Sequence, residues 1–349
     1  MASIQSEIHF EDDICAGLKD SGWRYDGPLP YVKGYAYDQG YDPRLALFPE
    51  DVIAWIQDTQ PAEWAKFQKN HTKDPVGVFL RRLADELDKE RTTANKNKPT
   101  LWGTLHVLRN GFKDVNATFK MAQFAPSSKD NPEAWALYGK NRLRVVRQLH
   151  YSLHNNKSID LVLFLNGLPV ATMELKTDTT QSIEHAIRQY KNDRAPIDGK
   201  TRLPEPLLSF GKRALVHFAV STDEVRMTTH LEGANTRFLP FNRGLPDGHG
   251  GAGAGNPVDT QNGYATTYLW KEVLEPNNWM AVMGKFLATH VSEVKNAKGK
   301  AEIKKTLLFP RYHQWDAVTR LVRATLADKV GKSYLVQHSA GSGKSNTIG

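Results

Sequence analysis

Cysteine is nearly missing from this chain: Cys15 is the single instance in 349 residues, so no intrachain disulfide can staple the fold. That scarcity fits a reducing compartment rather than a secreted scaffold. No apolar run approaches the roughly 18 residues that a membrane-spanning helix needs. The first residues, Met-Ala-Ser-Ile-Gln-Ser-Glu, lack the basic-then-apolar layout of a secretory leader. A cytoplasmic protein with no membrane partner is the expectation. Internal repeats are absent, and 40% hydrophobic residues with eight Trp and twelve Tyr exclude a disordered chain. An acidic excess is missing too. The formal net charge is +8 and the charges are dispersed along the chain, which points to a polyanionic partner, nucleic acid first.

The length predicts two domains, one of them incomplete. Residues 6–22 read as an amphipathic helix with Phe10, Ile14 and Leu18 on one stripe and Gly22 as its stop. A Tyr/Gly/Pro-rich loop over 25–43 precedes helical segments at about 49–58 and 75–90. From about 101 the pattern turns to strands, with alternation at 119–124 and 142–151. Two apolar runs, 159–165 and 168–176, flank Asn166-Gly167 and form the clearest hairpin in the sequence. A polar helix at about 180–193 and strands at 213–220 and 224–229 follow. This order predicts an α/β fold with a mixed sheet flanked by helices. A glycine-rich stretch, 245–263, reads as a linker or lid. Helices are expected at 269–274 and 277–293, then a basic connector at 294–305 and a helix at 313–328. The expected domains are 1–265, a helical connector over 266–305, and a second domain starting at 306.

Two constellations carry chemistry. Gly341-Ser342-Gly343-Lys344-Ser345 has the core of a P-loop, whose glycines let backbone N–H groups close on phosphate oxygens. Its lysine reaches the β/γ-phosphates of ATP, and its serine hydroxyl ligates Mg²⁺. The preceding segment 333–337 reads as a short buried strand. His338 stands where the strict pattern has its first Gly, and the sequence stops four residues after Ser345. No acidic strand to hold the metal follows Lys344, so the isolated chain is expected to lack ATPase activity and to bind nucleotide poorly.

The second constellation is Asp160, Glu174 and Lys176, spaced Asp-x₁₃-Glu-x-Lys across the hairpin. Mg²⁺-dependent phosphodiester hydrolysis uses these residue types. Two hard carboxylates hold the ion, the Leu175 backbone carbonyl adds a ligand, and a lysine two residues beyond the glutamate shares its strand face. A plain two-residue turn would pair 160 with 173 and send Asp160 to the wrong face. A three-residue loop or an equivalent bulge is therefore predicted. Gln189 and Tyr190, on the next helix, are placed to approach the same site, one holding Lys176 or a phosphate and the other stacking. Arg188, Lys191, Arg194, Lys200, Arg202, Lys212 and Arg213 form a candidate phosphate-binding surface.

Together these segments resemble the restriction (R, motor) subunit of type I restriction–modification enzymes over nearly the whole chain. Ile159-Asp160 with Met173-Glu174-Leu175-Lys176 resembles that family's PD-(D/E)xK nuclease motif, with Ile159 where the motif's name has Pro. Gln189-Tyr190 resembles the Gln…Tyr element of RecB-like nucleases, where the tyrosine lies four residues after the glutamine. Arg311-Tyr-His-Gln314 is similar to the adenine-recognising element before helicase motif I, and 338–345 is similar to motif I itself. The resemblance implies a RecB-like nuclease fold followed by the start of a RecA-like helicase domain truncated after motif I at 349. It also implies that the chain is the N-terminal part of a larger subunit. That subunit would act with methylation and specificity subunits, translocating double-stranded DNA by ATP hydrolysis and cleaving it away from the recognition site. Two other readings stay open on the residues: a stand-alone Mg²⁺ nuclease, and a P-loop NTPase or DNA-binding protein without a nuclease site.

Overall fold

The structure, a computed structural model, describes residues 2–90, 101–177, 182–246, 254–295, 299–329 and 331–337. The chain opens with helix α1 (Ala2–Asp20), then α2 (Pro49–Thr59), α3 (Pro61–Asn70), α4 (Pro75–Asp88) and α5 (Gly103–Asn110). Phe10, Ile14 and Leu18, four residues apart, bury the inner stripe of α1, and Gly22 turns the chain out of the helix at φ +107°. Asp74 caps α4, its carboxylate accepting from the Gly77 N–H at 2.9 Å. A small hairpin, β1 (Phe112–Asp114) and β2 (Ala117–Phe119), and helix α6 (Pro132–Tyr138) lead into the main sheet.

That sheet has six strands in the order β3 (Leu143–His150), β4 (Ser158–Leu165), β5 (Leu168–Leu175), β6 (Val216–Val220), β7 (Val225–Thr228) and β8 (Leu239–Pro240). Only the β5–β6 pair is parallel, as a crossover through helix α7 (Ile183–Asp193) requires. Side chains alternate across β4. Leu161, Leu163 and Leu165 join α1 to α5 in the larger core, whereas Val162 and Phe164 face Tyr190 of α7. Helices thus cover both faces, which is why β4 and β5 are apolar throughout rather than alternating.

Some expectations need correction. The stretch 103–110 is helix, not strand, and the strand expected at 119–124 ends at Phe119. The connector 266–305 is not wholly helical. After two short π-helical turns and α8 (Pro276–Ala281) it becomes a hairpin of β9 (Ala288–Lys295) and β10 (Ala301–Leu308). The two strands pair antiparallel along their whole length, and the cross-strand bonds outweigh a weak helical pattern. Helix α9 (Tyr312–Asp328) follows. Residues 333–337 are neither strand nor buried, with Leu335 92% exposed, because no described strand lies beside them to supply ladder bonds. Among the described residues no helix is long and apolar enough to cross a membrane.

Candidate active site

The hairpin between β4 and β5 decides whether a site exists. Its turn has two residues, Asn166 and Gly167, both at positive φ (49° and 79°), with Leu165 opposite Leu168. The three-residue loop is therefore not what forms. Parity is corrected one step later: Phe164 pairs with Pro169 but Leu163 pairs with Ala171, leaving Val170 as the extra residue of a β-bulge. Proline has no N–H for a ladder, so Pro169 belongs at such an irregularity. The register then runs to Leu161 opposite Met173, and its next step sets Asp160 against Glu174 on one face. Pairing of β4 with β5 stops there. The Leu175 N–H donates to Asp160 Oδ2 at 2.7 Å instead. The site lies where these two strands part, with α1 on one side and the end of α7 on the other.

Glu174 is fully buried. Its Oε1 accepts from Arg194 Nε at 2.5 Å, and its Oε2 is buried without a hydrogen-bond partner among the described residues. Burial first, then the charge of Asp160, holds its pKa well above the usual carboxylate range, against the pull of Arg194 and Lys176. Lys176 Nζ donates to Glu7 Oε1 at 2.6 Å and to the Leu175 carbonyl at 2.7 Å. Burial pulls this ammonium down, but Asp160, Glu7 and Glu174 more than offset it, so its pKa is raised and the charge is kept. Glu11 of α1 ion-pairs with Arg147 Nε at 2.9 Å and accepts from Gln148 Nε2 at 3.2 and 3.3 Å. Burial and then Asp160 push its carboxyl up to about 8. Burial likewise raises Glu7, with Lys176 opposing.

Among the described residues no three His, Cys, Asp or Glu side chains form a metal cage. The donors are of another kind: two carboxylates and a backbone carbonyl, all hard oxygens, with one buried carboxylate oxygen unpartnered. That set suits Mg²⁺, which is held by one or two carboxylates and keeps several waters. Asp160, Glu174 and Leu175 therefore fit the ion expected of them.

Other candidates fall elsewhere. Tyr190 is fully buried, its hydroxyl 2.7 Å from Thr172 Oγ1 and its ring against His217 and Phe238, so it cannot stack on a ligand. Four residues before it stands Ala186, also buried. Gln189 is half-buried, and the hydrogen bonds of the Lys176 ammonium go to Glu7 and Leu175, not to it. The basic surface loses two members. Arg194 is buried on Glu174 and donates to the Ser158 carbonyl at 2.7 Å. Arg213 is buried between the Leu45 carbonyl and Asp88. Arg311 is the N-cap of α9, and Gln314 Oε1 accepts from its N–H at 2.9 Å, so the amide oxygen serves the helix it opens. Gly341, Ser342, Gly343, Lys344 and Ser345 lie outside the described residues.

A family model described as Type I restriction enzyme R protein N terminus (HSDR_N) matches residues 49–236, more than half of the chain. The chain belongs to that family. The match takes in Gln148, Asp160, Glu174, Lys176 and Arg194, so the geometry above is that of an R protein N terminus. Helix α1, with Glu7 and Glu11, precedes the matched region. No curated protein matches the chain. Membership makes a restriction endonuclease the relevant enzyme class. Gln148 and Arg194 are the residues that sequence reasoning missed as part of the site. The sequence groups Arg194 with the basic surface of a polar helix, and nothing local marks Gln148.

Proposed function

We infer that the parting of β4 and β5 is the Mg²⁺-dependent endonuclease site of a type I restriction subunit, acting on double-stranded DNA. One observation carries the reading: Asp160 and Glu174 share a face beside Lys176, and Glu174 presents a buried, unpartnered oxygen. Asp160, Glu174 and the Leu175 carbonyl would hold the ion. A bound Mg²⁺ would polarise the scissile phosphate and acidify a water. The remaining work falls to the chain. Arg194 fixes one oxygen of Glu174 and leaves the other for a ligand. Lys176, kept protonated, offsets negative charge growing on the phosphate and orients the attacking water. Water's oxygen bonds to phosphorus as the bond to the leaving sugar oxygen breaks.

Exposed Arg188, Lys200 and Arg202 are suited to hold DNA phosphates near the end of α7. The P-loop of 341–345 would supply ATP binding in the full subunit, where a RecA-like motor would move DNA. Methylation and specificity subunits would choose the site. The test is Asp160→Ala in the assembled complex, with cleavage and ATP turnover measured together. Cleavage should vanish while ATP turnover stays; cleavage at the wild-type rate would sink the reading.

A further inference from the structure

β3 carries an irregularity that the fold alone does not require. Arg147 pairs with Leu161 and Leu149 with Ile159, so the register across β3 and β4 is kept. Between them, opposite Asp160, Gln148 takes φ 47°. That left-handed conformation disfavours side chains other than Gly, Asn and Asp, and such strain concentrates at functional sites. In an unbroken strand residues 147 and 148 would point to opposite faces. Here both reach Glu11 of α1, Arg147 through Nε and Gln148 through Nε2.

The Gln148 amide is oriented at both ends. Its Oε1 accepts from the Ser158 hydroxyl at 3.1 Å, which directs Nε2 to Glu11 and, at 3.3 Å, to Asp160 Oδ1. A flipped amide would turn its oxygen on two carboxylates. Asp160 is thereby held from two sides, Oδ2 by the Leu175 N–H and Oδ1 by Gln148. An amide suits this place better than a cation. It donates to both carboxylates and keeps them near each other, yet leaves their negative charge for a divalent ion. An arginine or lysine would compete with that ion.

We propose that Gln148 is a positioning residue of the nuclease site, its strained backbone aiming a neutral amide that sets the Asp160 carboxylate and ties it to Glu11 of α1. The proposal rests on the nuclease reading above. The test compares Gln148→Gly, which accepts the left-handed backbone and removes the amide, with the wild type. In the assembled complex, the Mg²⁺ needed for half-maximal cleavage should rise about tenfold or more, the usual scale for losing a group that orients a ligand. ATP turnover should not change. In the 349-residue chain, calorimetric Ca²⁺ affinity should weaken similarly while the thermal midpoint holds, since glycine relieves the strain. Wild-type Mg²⁺ dependence and Ca²⁺ affinity in Gln148→Gly would overturn the proposal. If that variant fails to fold, Gln148→Asn, at home in the same backbone but one methylene short, carries the same expectations and the same refutation. Asp160→Asn run alongside separates the two ideas. If it cleaves normally, the nuclease reading fails. If it is inactive while the Gln148 variants match wild type, only the role of Gln148 fails.

Discussion

Gly167→Ala tests how firmly the β4–β5 hairpin is keyed to the rest of the fold. Gly167 sits at φ +79°, where an alanine costs about 1–2 kcal/mol. Its added Cβ would also lie 2.4 Å from Val52 Cγ2 and 2.5 Å from the Phe48 carbonyl oxygen. The second of these is backbone at the start of α2 and cannot swing aside, so overpacking adds about 1–3 kcal/mol. The Phe48 N–H donates to the Gly167 carbonyl at 2.9 Å. Weakening that bond removes about 1 kcal/mol more. The expected loss is about 3–6 kcal/mol, a large share of the roughly 5–15 kcal/mol that holds a domain folded. Gly34→Ala is the control. Its φ is +82°, but nothing lies within 4 Å of the added atom. It should lose only the conformational part, about 1–2 kcal/mol. Urea unfolding followed by tryptophan fluorescence, with slopes compared as well as midpoints, reads the difference. Equal losses in the two variants would refute the claim that the turn is locked against α2.

Glu11→Gln should flatten a pH dependence of stability. With its folded pKa pushed up to about 8, Glu11 keeps a proton that the unfolded chain releases near 4.5. Its contribution is thus complete below about 4.5 and lost as pH rises towards 8. Urea midpoints at pH 5 and pH 8 in a chelator should differ less in the variant, and an unchanged difference would contradict the assignment. The buried and exposed cations should separate cleanly. Arg213→Ala should cost about 1–3 kcal/mol by leaving the Leu45 carbonyl without its donor, the charged partner Asp88 being half exposed. A Lys200→Ala/Arg202→Ala double variant should leave stability alone and lower the salt slope of DNA binding by about 2. Urea unfolding checks the stabilities and filter binding at several salt concentrations the slope, and a stable Arg213→Ala with weakened DNA binding would reverse the distinction.

The hairpin was legible because every cue for it is local. Asn166-Gly167 demands positive φ, apolar runs flank it, and the spacing of Asp160, Glu174 and Lys176 required a change of parity somewhere between. Of the two devices the spacing allows, an odd loop or an equivalent bulge, the structure has the bulge, and Pro169 marks where it falls. Helix α1 was readable from Phe10, Ile14 and Leu18. Strand β9 was not. Ala288–Lys295 buries almost nothing and is held by backbone bonds to Ala301–Leu308, a partner that no periodicity within 277–293 reveals. Gln148 and Arg194 were hidden for a similar reason. One depends on a left-handed residue inside a strand, the other on which way the chain leaves α7.

Charge explains why so many ionisable groups tolerate burial at this one corner. Glu7, Glu11, Asp12, Asp160 and Glu174 are five carboxyl groups in one connected network. They meet three cations: Arg147 on Glu11 and Asp12, Lys176 on Glu7, and Arg194 on Glu174. Among the described residues, five against three leaves two negative charges without a counterpart. A purely structural network would be expected to close its balance, because an unmatched buried charge is costly. Here the excess equals the charge of one divalent cation. The raised pKa values of Glu7, Glu11 and Glu174 show the alternative way towards neutrality, protons held among the three carboxyls that Asp160 repels. The deficit sits beside the unpartnered Oε2 of Glu174, where the sheet opens. A corner built only for stability would have no reason to keep it.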